Sequence, residues 1–231
     1  NKNILILGFS VLTFISCSND DDDNPETVAR KKYPESFVLT QNGQSTTTTI
    51  SYNDKMQITG YSEPNSVITF SYENGKVKEV RENGNSLPYA LSYSNGILSG
   101  LSHYGQPYTV TYNSQQASYT VGNLLTFGLN GRDVAYVNDN SENQIFTYDS
   151  NKKGALYDLP DAELFPVTLF STFQYYYLAT KPVQTITLVN NGVQNVVNAL
   201  NTYDSDGYIT SMTAKSGNSE IFKVTYKYMV K

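Results

Sequence analysis

Apolar and polar residues alternate along most of this chain in short bursts broken by polar turns. In Ile68-Thr69-Phe70-Ser71-Tyr72 a period of two puts Ile68, Phe70 and Tyr72 on one face and Thr69 and Ser71 on the other. Tyr108-Thr109-Val110-Thr111-Tyr112 and Phe222-Lys223-Val224-Thr225-Tyr226 repeat the pattern. One face is apolar and aromatic and the other polar, which predicts antiparallel strands with one wet side. Asn-Gly occurs at 42, 74, 83, 95, 130 and 191. Both residues accept positive φ, so these pairs predict tight hairpin turns of type I′.

The bursts form a repeat in which a strand ends in Tyr, a polar turn follows, and a second apolar strand returns. Copies include Ile50-Ser51-Tyr52-Asn53-Asp54, Phe70-Ser71-Tyr72-Glu73-Asn74-Gly75, Leu91-Ser92-Tyr93-Ser94-Asn95-Gly96, Val110-Thr111-Tyr112-Asn113, Phe146-Thr147-Tyr148-Asp149 and Asn201-Thr202-Tyr203-Asp204-Ser205-Asp206-Gly207. The first tyrosines are 20, 21 and 19 residues apart, and the next interval is 36, close to two units. These residues resemble the YD (Rhs-type) repeat, Tyr-x-Asp/Asn-x-x-Gly followed by an aliphatic strand. The chain as a whole resembles a family of Bacteroidetes lipoproteins with YD-like repeats and no assigned function. Tyr112 and Tyr148 lack the turn glycine, and 119–137 matches poorly. Large proteins of the Rhs type build closed shells from many repeats, and this chain has few. The expected fold is therefore all-β and mainly antiparallel: an open, curved meander of roughly ten to twelve short strands.

Residues 155–180 interrupt the pattern. Asp158 ahead of Pro160, with Asp161 and Glu163 nearby, has the form of a helix start. Leu169, Phe170, Phe173, Tyr176 and Tyr177 fall at helical spacing, and Pro166 divides the segment. One or two short helices around 157–179, covering the apolar face of the sheet, are expected.

The N-terminus reads as an address. Lys2 precedes an apolar run from Ile4 to Ile15, too short for a permanent span of roughly 20 residues. Residues 1–16 fit a secretory signal peptide, and Ile15-Ser16-Cys17 resembles the end of a bacterial lipobox, with Phe14 where Leu is usual. The resemblance implies acylation of Cys17, the only cysteine. Residues 17–32 then form a tether holding Asp20, Asp21, Asp22 and Asp23, whose mutual repulsion keeps them in water. That run resembles the acidic signal directing such lipoproteins to the outer face of the outer membrane, with the periplasmic face as the alternative. A single domain is expected over 33–231.

Composition narrows the chemistry by exclusion. With 16 basic against 21 acidic residues, a net charge of −5 argues against nucleic acid as a partner. One Cys and one His exclude multi-cysteine metal sites and paired-imidazole sites. His103, in Ser102-His103-Tyr104-Gly105, has no nucleophile elbow to serve and is expected as a loop or surface residue. Asp204-Ser205-Asp206-Gly207 has part of a calcium loop but is first a hairpin turn. No cofactor motif, no metal site and no catalytic constellation is found. Most of the 20 tyrosines belong to the sheet, and Tyr104, Tyr108 and Tyr119 are the candidate ligand contacts. The expected function is a lipid-anchored, non-catalytic module for a glycan or protein ligand. Two alternatives are a surface glycan hydrolase using Asp158, Asp161 and Glu163, and a periplasmic carrier of an apolar ligand.

Overall fold

The structure is a computed structural model and describes residues 30–84, 88–139, 141–170 and 174–231. Among them the chain forms β1 (Lys32–Gln41), β2 (Gln44–Tyr52), β3 (Ile58–Glu63), β4 (Ser66–Glu73), β5 (Lys76–Glu82), β6 (Tyr89–Ser94), β7 (Ile97–His103) and β8 (Gln106–Asn113). It continues through β9 (Ser118–Val121), β10 (Leu125–Asn130), β11 (Asp133–Asn138), β12 (Asn143–Tyr148), β13 (Val183–Asn190), β14 (Val193–Tyr203), β15 (Ile209–Ser216) and β16 (Ser219–Val230). Each strand pairs antiparallel with the next, and β16 returns to β1, so the sheet is a closed barrel. The seam runs from Lys32 opposite Val230 to Thr40 opposite Lys223.

This corrects the expected open meander of ten to twelve strands. Strands β9 to β11 lie in the stretch where the tyrosine repeat fades, and β1 begins at Lys32, inside the expected tether. An open sheet would leave two unpaired edges in water, and closure removes both. Cys17 and Asp20 to Asp23 lie outside the described residues.

The inward face is apolar. Phe37, Ile50, Tyr61, Ile68, Phe70, Val80, Leu91, Leu101, Phe127, Ile186 and Val224 alternate inward and are buried. The outward partners are mostly hydroxyls: Thr47, Thr49, Ser51, Thr69, Ser71, Ser92, Thr109, Thr111, Thr147, Thr202 and Thr225 are all exposed. At Gly128 the outer face carries a glycine under the ring of Tyr136 directly across the strand pair, and a Cβ there would overlap that ring.

The hairpins use the expected turn chemistry. Asn42-Gly43, Asn74-Gly75, Asn95-Gly96 and Asn191-Gly192 all take positive φ at both positions. The repeat tyrosines have a separate task. A register shift directly precedes Tyr52, Tyr72, Tyr93, Tyr148 and Tyr203. The hydroxyls of Tyr52, Tyr72, Tyr93, Tyr148 and Tyr228 then donate to the carbonyls of Pro34, Ile58, Val77, Val134 and Ile209, at 2.6, 2.7, 2.9, 2.5 and 2.7 Å. Ile58 pairs with Tyr52, Val77 with Tyr72, Ile209 with Tyr203, and Pro34 with Tyr228. Most latched carbonyls thus sit opposite the tyrosine of the preceding unit, and the series crosses the barrel seam.

The described residues of 149–182 enter the barrel between β12 and β13 and fill it. Among these described residues are the short helix α1 (Phe165–Thr168) and a 3-10 turn at Gln174–Tyr176. Leu156, Leu159, Leu164, Phe165 and Leu178 pack inside the apolar wall. Buried irregular backbone needs partners, and the wall supplies them: Tyr61 donates to the Val167 carbonyl at 3.0 Å and Tyr226 to the Tyr177 carbonyl at 2.8 Å. Asp133 accepts from the Thr180 N–H and hydroxyl at 2.6 and 2.7 Å. No helix starts at Asp158, whose carboxylate instead accepts from the Lys32 N–H and the Tyr208 hydroxyl. Pro166 falls in the first turn of α1, where a missing N–H costs nothing.

Candidate functional site

The two mouths of the barrel differ. The start of β1, the end of β16, the turn at 53–57, the turn at 204–208 and the entry of the plug share one mouth. There Arg132 donates to the Tyr157 and Leu159 carbonyls. Asp161 accepts from Gln57 at 2.7 Å, and Glu163 pairs with Lys76 at 2.9 Å and accepts from Tyr119 at 3.4 Å. Burial raises the Asp161 carboxyl above the usual carboxylate range, against the Gln57 hydrogen bond and the Arg132 charge. The cavity beside Asp161 and Glu163 measures about 80 Å³, against about 380 and 450 Å³ for the two at the opposite mouth. The three acids weighed for glycan cleavage thus fasten the plug to the barrel. Asp204 and Asp206 hold Lys32 at 2.7 and 2.6 Å, so that turn serves the seam. Among the described residues no group of three or more His, Cys, Asp or Glu is placed to hold a metal ion.

The opposite mouth is open on either side of the plug. One cavity of about 380 Å³ lies between the inward faces of β4 to β7 and plug residues Leu169 and Phe170. A second, of about 450 Å³, lies between β1, β13, β16 and plug residues Tyr176 and Tyr177. Glu82, His103 and Leu124 in the first, and Gln41, Leu188 and Ile221 in the second, all lie beside turns joining an odd strand to the following even one. Both cavities therefore open at the same mouth, and the two ends of one plug segment form their inner walls. The second is walled almost wholly by apolar side chains, including Leu39, Ile186, Leu188 and Phe222. In the first, inward Val80 and Glu82 follow each other on β5, with Tyr89 and His103 facing the same space from β6 and β7.

His103 is not the free loop residue expected from the sequence. It ends β7 facing inward, stacked on Tyr89 at 4.3 Å and 9°, because Leu101 and His103 share the period that points into the barrel. Its Nε2 is buried without a hydrogen-bond partner, and burial lowers its pKa below the ordinary value. Tyr104 is 57% exposed in the next turn, its ring 4.4 Å from His103. Tyr108 is half-buried over Gly122 and packs against the core. Tyr119 is 2% exposed, wedged among Tyr112, Phe127 and Phe165. Glu82 and Tyr89 were not singled out from sequence, although the alternation Val80-x-Glu82 carries the signal.

No family model matches the chain, and no curated protein matches it. Among solved structures, the barrel is similar to a porin-like protein from Bacteroides uniformis ATCC 8492, with a TM-score of 0.50 at 13% identity over 85% of this chain and 98% of that one. A porin-like protein from Bacteroides vulgatus ATCC 8482 aligns with a TM-score of 0.46 at 11% identity over 86% of this chain and 99% of that one. The first likeness is one of fold.

Proposed function

We propose that this protein is a non-catalytic lipoprotein of the bacterial cell envelope, whose barrel stands in water and receives an apolar ligand at its open mouth. The carrying observation is the direction of the barrel's polarity. A spanning barrel presents an apolar band about 25 Å tall to lipid and keeps its polar side chains inside. Here the outer face is mostly Ser, Thr and other polar side chains, with Val67, Ile145, Val196 and Leu200 as scattered exposed apolar exceptions, while the inner face and the plug are mainly apolar. Each hydroxyl turned to hydrocarbon would cost free energy with no partner to offset it. Membrane attachment then falls to the N-terminal segment, through an acylated Cys17 and the acidic run Asp20 to Asp23, toward the outer membrane. The two cavities beside the plug, at about 380 and 450 Å³, match the size and apolar lining of small-molecule sites.

The test is uptake of an environment-sensitive alkyl fluorophore by the chain from Ser18 onward, which keeps every strand and the plug. Leu188→Trp, placed in the wall of the larger cavity, is expected to cut uptake at least several-fold while leaving the melting temperature nearly unchanged. Binding on a glycan array without alkyl uptake would overturn the apolar reading, and release of sugar from envelope polysaccharide would overturn the non-catalytic one.

A further inference from the structure

The smaller cavity differs from its neighbour in ways packing does not require. Glu82 lines the cavity at its exposed rim, a carboxylate directly opposite Ile68, on a face that is mainly apolar below the rim. It takes part in no ion pair among the described residues. Among the described residues it is the one formally charged side chain in that lining. Aromatic rings share that lining: Tyr89 stacks on His103 and Phe170 lies 6.3 Å from Tyr89 at 24°, while Tyr104, at the rim outside the lining, has its ring 4.4 Å from His103 and 6.4 Å from Tyr89. The unpartnered Nε2 of a neutral imidazole is a hydrogen-bond acceptor when the proton sits on Nδ1.

The turn at this mouth adds an independent observation. Asn42, Asn74, Asn83, Asn95 and Asn191 hold the left-handed position ahead of a glycine, but at Tyr104-Gly105 that position is a tyrosine with φ +48°. A bulky residue there is strained, where Asn is tolerated. Retained strain at the rim of a cavity points to use of the ring.

We propose that this cavity binds the head of a single-chain amphiphile carrying an ammonium group, with its alkyl tail along Val80, Leu101 and Leu125. This rests on the apolar-ligand reading above and adds the head group. The Glu82 carboxylate takes the N–H donors, while the exposed ring of Tyr104 at the rim attracts the cation. A fatty acid carries the wrong charge, because its carboxylate meets Glu82. Among the described residues the larger cavity has no formally charged side chain in its lining, so no charge there selects between head groups.

The experiment compares dodecylamine, dodecanol and dodecanoate by calorimetry at pH 7 on the chain from Ser18 onward. Dodecylamine is expected to bind about 10-fold tighter than dodecanol, with dodecanoate weakest, as a carboxylate near an aromatic wall provides. Glu82→Gln should abolish the amine's advantage and leave dodecanol binding unchanged, while Glu82→Lys should favour dodecanoate, a gain that a misfolded barrel cannot produce. Tyr104→Asn should weaken amine binding several-fold while raising the melting temperature. Equal binding of amine and alcohol, or an amine preference that survives Glu82→Gln, would overturn the head-group assignment alone. Failure of all three amphiphiles to bind would overturn the apolar-ligand reading with it.

Discussion

Replacing Tyr72 by Phe removes one hydroxyl and little else, so it isolates what a latch contributes. That hydroxyl donates to the Ile58 carbonyl at 2.7 Å, and Ile58 is fully buried. Burial already holds the phenol in its neutral, donating form, its pKa raised above the ordinary value. Without the donor, a buried carbonyl loses a partner that water cannot readily replace, at a cost of about 1–2 kcal/mol. In a domain of this size each kcal/mol moves the melting temperature by about 2–4 °C. Tyr112 is the internal control: it occupies the same place in its repeat, yet it is 38% exposed and makes none of the tyrosine-to-carbonyl latches. Tyr112→Phe should cost less than about 0.5 kcal/mol, as surface changes usually do. Urea unfolding followed by circular dichroism at 25 °C measures both. Equal losses in the two variants, or no loss in Tyr72→Phe, would refute the latch as the reason for the repeat.

Gly128→Ala pushes the Tyr136 ring off the outer face and should cost about 1 kcal/mol, with no further loss when Tyr136→Ala is added; full additivity in that cycle would separate the two residues. Asp133→Ala leaves the buried Thr180 N–H without its acceptor, costing about 2–3 kcal/mol, and amide exchange should show the plug around Thr180 opening before the strands do. At Asp204 burial raises the pKa, but hydrogen bonds from Lys32 and from the Tyr208 and Asp206 N–H groups outweigh it, and the net shift is downward. A carboxylate depressed in the folded state contributes stability above its unfolded pKa near 4 and loses it as pH falls through the folded value. Unfolding curves should therefore show an acid-limb loss below about pH 4 that Asp204→Asn flattens, and an unchanged limb would remove Asp204 from the seam.

Much of the strand pattern was legible because it is local. Ile68-Thr69-Phe70-Ser71-Tyr72 announces both its period and its wet side, and Asn-Gly pairs announce their turns. Closure was not legible, because it depends on β1 meeting β16 almost two hundred residues later, and no local signal records that pairing. The strand count failed at β9 and β10, which take no part in the tyrosine latches and pack on the plug through Tyr119 and Phe127. Tyr119 was assigned to the surface for the same reason: its burial comes from Phe165, a residue of the insertion. The acids of the insertion were visible as charges, but their partners Gln57, Lys76 and Lys32 lie far away in sequence. His103 was readable in principle, since Leu98, Leu101 and His103 face one side, with a register shift at Ser92/Tyr93 masking the period.

The central claim is that the barrel keeps its apolar side inward and its hydroxyls in water. Flotation with phospholipid vesicles tests it most directly, using the chain from Ser18 onward, without leader or acyl group. The account predicts a monodisperse protein that needs no detergent and stays at the bottom of the gradient while the vesicles rise. Protein that rises with the vesicles, survives carbonate washing and makes them leak to ions would show a spanning barrel and contradict the account.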